Sequence, residues 1–442
     1  MDKYLMSDKL NFIFFSLITK ILYDLSVIYI LPETYMFGLT YGVCFSAEKA
    51  VVGWIVYLLM ISVFCKKNLN NYGNLNICIY ILWFTYYTPL NSAYALNDLN
   101  IGFLLLSSVF WLVLVVISET KFTIGDKKLY NDETQISNID IVFNSTIASI
   151  LFIILDVFCI IYVFQYNGFN LSLNLINIYD ARASYVGTTT IFESILFNFG
   201  GNVIIPISMI YGFNNKKFHL FVIGLFAQLG IFSVAMQKGN LLIILVVILV
   251  IILKKFCLLE KVKRLITIAV PGLIISCFIE KYLIGSNVLF MLFVRRILYI
   301  PAWLNGLYYR FFCENKLLLF SQDVFLVERL GLNRYDSSVL KLINNKFFSG
   351  YMPSPNTGMF AEGFMHLGMA GAFVFPVIWI AFLKWIFKST LYYEKNIQVF
   401  FIIHMALSVT NLPCTSGIFC VTYLFFIPFT FIISHFALKK NN

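Results

Sequence analysis

The sequence predicts an all-α, polytopic integral membrane protein of about twelve transmembrane helices with one long periplasmic loop. Three observations carry that expectation. Sixty per cent of the residues are hydrophobic and 12% are charged, too little polar surface to coat a soluble chain of 442 residues. The apolar residues come in repeated blocks of roughly the 20 residues that cross a bilayer. The charges gather between those blocks, mostly as lysines and arginines in short connectors.

Taken in order, the first span is expected near 10–31 and carries Lys20 and Asp24, one helical turn apart, so a local ion pair accounts for both. Spans near 47–65, 74–92 and 99–118 follow, and a polar segment at 119–138 leads to a fifth near 141–165. The fifth holds Asp156, an acid with no sequence-local partner, and an intramembrane acid points by default to function. A shorter outer loop around 167–189 precedes a sixth span near 190–212. The seventh, near 218–236, turns at 237–240 into the aliphatic run 241–253, and a ninth lies near 265–284. The chain thus divides into N-terminal membrane helices (1–284), a large periplasmic loop (285–360) and C-terminal membrane helices (361–442). Spans in the last part are expected near 361–383, 397–412 and 417–437.

Under this count Lys66 and Lys67, Lys121, Lys127 and Lys128, Lys216 and Lys217, the 254–264 cluster, Lys384 and Lys388, and Lys439 and Lys440 all fall on one side. That side is the cytoplasm, which puts both termini there and the long loop outside. The first apolar block runs straight into more spans, with no cleavable signal peptide expected. The net charge of +10 resides in these connectors rather than on an aromatic-laced basic surface, which argues against nucleic acid. The nine cysteines are scattered, with no CxxC and no Cys/His cluster of metal-ligand spacing, so no metal or other cofactor is expected. GxxxxGK[ST], HExxH, GxSxG and DxD are all absent.

Chemistry is sought in the long outer segment, because connections of this length usually have a task. Arg295 and Arg296 are adjacent, Arg310 follows, and Arg182 lies in the shorter outer loop. A guanidinium is permanently charged and presents a planar fork that matches phosphate oxygens, so the set could hold a lipid-linked diphosphate beside the bilayer. The plainer reading pairs these arginines with anionic headgroups, or with Glu314 and Asp323. Lys238 stands between two apolar blocks as a further cation, or simply as a polar hairpin turn. Glu362 and His366, four residues apart, share a face if that stretch is helical. Either could take a proton from a sugar hydroxyl attacking an anomeric carbon. The plainer reading is a helix-start carboxylate and an interfacial histidine.

In Arg295-Arg296 with Tyr299 and Pro301, in Tyr309-Arg310-Phe311-Phe312, and in Asn356-Thr-Gly358, Glu362 and Gly368-Met-Ala-Gly371, the chain resembles the bacterial O-antigen and capsule repeat-unit polymerases, the Wzy family. Those are many-span proteins with a large periplasmic loop in the C-terminal half and functional arginines in two outer loops. The resemblance implies a metal-independent glycosyltransferase in the bacterial inner membrane. It would join undecaprenyl-diphosphate-linked oligosaccharide repeat units into O-antigen or capsular polysaccharide, beside a chain-length regulator and the repeat-unit flippase. Arg182, Lys238, Arg295, Arg296 and Arg310 would bind the diphosphate, and Glu362 or His366 would activate the acceptor hydroxyl. A flippase of the same lipid-linked unit, which would suit Asp24 and Asp156, and an O-antigen ligase stand as alternatives.

Overall fold

The computed structural model of the chain describes residues 2–36, 39–40, 43–67, 73–120, 145–167, 197–235, 238–253, 259–321, 333–348, 356–391 and 393–413. Arg182, most of the loop around 167–189 and the span near 417–437 lie outside these residues.

Among the described residues the chain is helical except for a short antiparallel ladder, Tyr35–Met36 with Leu39–Thr40, and a single bridge between Cys44 and Asn97. The helices run α1 (Asp2–Tyr29), α2 (Ala47–Lys67), α3 (Asn74–Leu82), α4 (Thr88–Leu96) and α5 (Ile101–Ser118), with a π-helical turn, Trp83–Tyr87, joining α3 to α4. Next come α6 (Ser145–Asn167), a π turn at Gly200–Ile204 leading into α7 (Ile205–Asn214), α8 (Phe218–Ala235) and α9 (Lys238–Leu253). A helix α10 (Leu259–Ile279) ends in a third π turn, Glu280–Ile284. A π-helical segment, Phe290–Tyr299, then continues into α11 (Ile300–Glu314). The last four are α12 (Val339–Phe348), α13 (Met359–Leu367), α14 (Gly371–Thr390) and α15 (Lys395–Ser408).

Among the described residues, five helical stretches are long and apolar enough to cross a membrane: Asp8–Glu33, Ala47–Lys66, Ile101–Ser118, Val262–Ile284 and Met359–Thr390. Shorter apolar helices cover Phe152–Val163, Phe218–Val234 and Gly239–Leu253. The chain folds as two compact units, one of residues 1–120, 258–384 and 405–416, the other of residues 121–257, 385–404 and 417–442.

In the first unit α1 packs on α10 and α4, α2 on α4 and α5, and α11 on α4 and α13. Between apolar helices in lipid, packing and hydrogen bonds must replace the hydrophobic drive, and this unit is built on both. Phe64 and Trp83 lie 4.8 Å apart, Trp83 and Tyr87 4.9 Å, Phe12 and Phe64 5.0 Å, and Tyr87 and Trp111 5.2 Å between ring centroids. Aromatic pairs at such spacings contribute about 0.5–1.5 kcal/mol each beyond the area they bury. Their polar ends find partners: the Trp83 indole donates to Ser16 Oγ at 3.0 Å, Tyr57 and Thr88 hydroxyls meet at 2.8 Å, and those of Tyr80 and Thr267 at 2.6 Å. In the second unit α8 packs on α6 and α7. The close fit uses small residues: a Cβ at Gly224 would stand 2.7 Å from Met209 Cγ, and one at Gly230 3.2 Å from Val163 Cγ1.

Two stretches add detail to the expected plan. The stretch read as an outer loop from residue 285 is helical from 288 to 314, and most of its α11 side chains are buried. Its arginines masked a pattern in which Phe290, Val294, Leu298 and Tyr299 turn inward. The span expected near 361–383 falls within the apolar stretch Met359–Thr390, which is bent by an elbow. Gly368 adopts φ +58, a left-handed value that favours glycine, and ends α13 before a short 3-10 turn leads into α14. The elbow is closed by direct backbone contact: a Cβ on Gly371 would lie 1.9 Å from the Gly363 carbonyl oxygen.

Gly371→Ala should therefore destabilise the protein by about 3 kcal/mol or more, read as a lower melting temperature in detergent. Gly272→Ala, where nothing lies within 4 Å of an added Cβ, should leave the melting temperature unchanged or raise it slightly.

Candidate functional site

The first unit holds Arg295, Arg296, Arg310, Glu362 and His366. Its arginine-bearing helix is anchored at the start by a carboxylate that the sequence reading did not single out. Glu280 accepts from Ser286 Oγ at 2.5 Å, from the Val288 N–H at 2.8 Å and from the Leu289 N–H at 2.8 Å. Gly285 between them has φ +75, which lets the chain reverse tightly enough for Glu280 to cap the helix that follows. Lys281 holds the same turn against the end of α1, donating to the Tyr29 carbonyl at 2.5 Å and pairing with Glu33 at 2.6 Å. The cap satisfies N–H groups that a helix start leaves orphaned. It also fixes the register of the two arginines downstream.

Arg295 and Arg296 diverge. Arg295 is buried together with Phe290, Val294, Leu298 and Tyr299, whereas Arg296 is exposed. Val288, Leu292 and Arg296, four residues apart in turn, all lie on the exposed side. Adjacent in sequence, the two guanidinium groups therefore serve different environments. Arg310 is exposed at the far end of α11, where its charge acts on Asp98 and Glu314. Both carboxyls are held below their ordinary range, chiefly by lysines: Asp98 by its 2.6 Å bond to Lys49, and Glu314 by its 2.5 Å bond to Lys346 on α12. The plainer reading set Glu314 against the outer arginines, whereas its ion pair here is with Lys346; Asp323 lies outside the described residues.

The α13 helix carries Glu362 and His366, both fully buried, and the four-residue spacing does lie on a helix. The His366 ring stacks on Phe320 at 4.4 Å and on Phe375 at 5.8 Å. Its Nδ1 accepts the Phe320 N–H at 3.2 Å, which places the proton of the neutral ring on Nε2. Leu318 also donates to the Met365 carbonyl at 2.8 Å, so His366 helps dock the chain around residue 320 onto α13.

The start of α13 has no capping side chain of its own, since Gly358 stands at the N-cap. Its cap comes from two other helices. Tyr86, in the π turn after α3, accepts the Phe360 N–H at 2.9 Å, and Asn305 of α11 accepts the Ala361 N–H at 2.8 Å through Oδ1. The Tyr86 hydroxyl donates to the same Asn305 oxygen at 3.1 Å, and Asn305 Nδ2 donates to the Pro301 carbonyl at 2.7 Å. Gly358 is required by the crowding here: a Cβ would meet both Asn305 Nδ2 and the Thr410 carbonyl at 2.7 Å. Neither Tyr86 nor Asn305 carries a sequence signal beyond being a polar group inside an apolar block.

The remaining candidates fall in both units. Lys20 and Asp24 pair at 3.5 Å as expected, with Lys20 also donating to Ser92 at 2.7 Å and lying 5.1 Å from the Trp54 ring centre. In the second unit Asp156 is fully buried and accepts from Ser208 at 2.6 Å through Oδ2, while Oδ1 has no hydrogen-bond partner among the described residues. Lys238 begins α9, its side chain lying outside the described residues. Compared with known proteins, the chain matches no protein-family model, no curated protein and no solved structure.

The docking role of His366 can be tested by His366→Phe, which keeps the ring stack and leaves the Phe320 N–H without its acceptor. A loss of about 1–3 kcal/mol is expected, seen as a lower melting temperature in detergent.

Proposed function

We propose that the chain is a polymerase that joins undecaprenyl-diphosphate-linked oligosaccharide repeat units at the outer face of a bacterial inner membrane. One observation supports this reading above the others. A guanidinium, Arg295, and a carboxyl, Glu362, are both buried in the first unit: Arg295 lies on the π-helical segment that runs into α11, and α11 packs on the helix that bears Glu362. Ionisable groups inside apolar bundles are costly and are kept where they serve a function.

In this reading the acceptor sugar hydroxyl attacks the anomeric carbon of the lipid-linked donor glycan. The bond from that carbon to the diphosphate oxygen breaks, and undecaprenyl diphosphate leaves. Glu362 takes the hydroxyl proton as the new glycosidic bond forms. Arg295 stabilises the negative charge developing on the departing diphosphate, as a fixed cation does without reorganisation. Arg182, Lys238, Arg296 and Arg310 are proposed as further cations for the lipid-linked substrate. His366 supports α13 rather than taking the proton. No metal is invoked in this scheme, and the proposed partners are the lipid-linked substrate, a chain-length regulator and the repeat-unit flippase.

Surface glycan on a gel tests the reading. A deletion strain should show core bearing a single repeat unit, and Arg295→Ala should reproduce that pattern while the protein still reaches the membrane. Long-chain glycan in that mutant would remove Arg295 from the site.

A second reading, a flippase for the same lipid-linked unit, is favoured by Asp156, whose fully buried carboxyl the polymerase scheme does not use. On the polymerase reading Asp156→Asn leaves glycan length unchanged. Complete loss of surface glycan in that mutant, with lipid-linked units retained on the cytoplasmic side, would favour the flippase.

A further inference from the structure

We propose that Tyr86 and Asn305 are positioning residues for Glu362, acting through the helix that carries it. The inference rests on the reading of Glu362 as the proton acceptor.

Glu362 lies in the first turn of α13, and its own N–H donates to the Gly358 carbonyl at 3.0 Å. The position of that turn is therefore the position of the carboxyl. Nothing in α13 fixes it from within, because the N-cap glycine offers no side chain. Tyr86 and Asn305 fix it from outside, each taking one first-turn N–H, and they lock one another through the hydroxyl-to-amide bond. The Asn305 amide has one possible orientation here: Oδ1 receives two donors, and Nδ2 is committed to the Pro301 carbonyl. The hydroxyl of Tyr86 likewise both accepts and donates. The network is closed and leaves little freedom to shift by a fraction of an ångström. Phe360, whose N–H Tyr86 holds, is packed edge-on by Phe103 and Phe110 at 5.6 and 6.0 Å, so the same turn is also held by apolar packing.

Two consequences separate positioning from mere support. The capping groups consume the Phe360 and Ala361 N–H groups, so these two donors position the helix start rather than bind an anion. The cap also acts on the reaction only through Glu362, so its loss should be invisible once Glu362 can no longer take a proton.

The experiment uses the full chain purified in detergent, with undecaprenyl-diphosphate-linked repeat units extracted from a strain lacking this protein as donor and acceptor. Tyr86→Phe removes the hydroxyl alone and should lower kcat about tenfold to a hundredfold, the size expected of a misplaced catalytic group, with KM changed less than twofold. Introduced into Glu362→Gln, the same change should lower the residual rate no further. Asn305→Leu serves as the second variant should Tyr86→Phe fail to fold, with the same two expectations. A kcat near the parent's in a folded capping variant, with Glu362→Gln inactive, would overturn the positioning role and leave the polymerase reading standing. So would an equal further loss in the Glu362→Gln background, which marks a structural role independent of the carboxyl. Full activity in Glu362→Gln, or no polymer from the parent protein, would instead overturn the reading of Glu362, and the positioning proposal with it.

Discussion

A helix that begins inside a bundle of apolar helices has N–H groups that water does not reach, and each must find a partner from the protein. The first unit meets that constraint at the start of α13 with Tyr86 and Asn305, side chains more than two hundred residues apart in sequence. Much else follows from that arrangement. The π turn that carries Tyr86, the packing of α11 on α4 and α13, and the missing side chain at Gly358 all serve the approach of two polar groups to one helix end. The same logic recurs where Glu280 caps the arginine-bearing helix. In both places the start of a helix that bears a candidate residue is held by a side chain from outside that helix.

The electrostatics sort by depth. Arg310, Asp98, Glu314, Lys49 and Lys346 form an exposed array in which the acids are already matched by lysines, and such pairs are weak and screened by salt. Arg295 and Glu362 are buried. A buried charge interacts far more strongly with whatever approaches it than an exposed one does. That contrast, rather than the number of arginines, distinguishes the residues worth testing.

Part of this was legible in the sequence. The all-helical character, the starts of α2 and α5, the Lys20–Asp24 pair and the helical spacing of Glu362 and His366 all followed from apolar block length and from residue spacing. The helix from 288 to 314 was not read, because two adjacent arginines and a proline resemble loop composition while a π-helical backbone shifts the inward-facing positions off the familiar spacing. The break at Gly368 had a signal, three glycines within nine residues, but only coordinates show that Gly363 and Gly371 touch. Tyr86 and Asn305 could not have been found locally, since their meaning lies in a contact between distant segments. The division of labour between Arg295 and Arg296 was hidden for a related reason: neighbours in sequence say nothing about which faces inward.

The contact between Gly363 and Gly371 gives the elbow a mechanical character. Where side chains separate two helices, rotamer changes absorb part of any displacement. Here two peptide groups touch directly, and planar amides have no such play. The short helix and the first turns of the long one therefore behave as a single stiff bracket. A push delivered at one arm arrives at the other almost undamped, and any compliance in this part of the molecule must come from the segments at the bracket's outer ends.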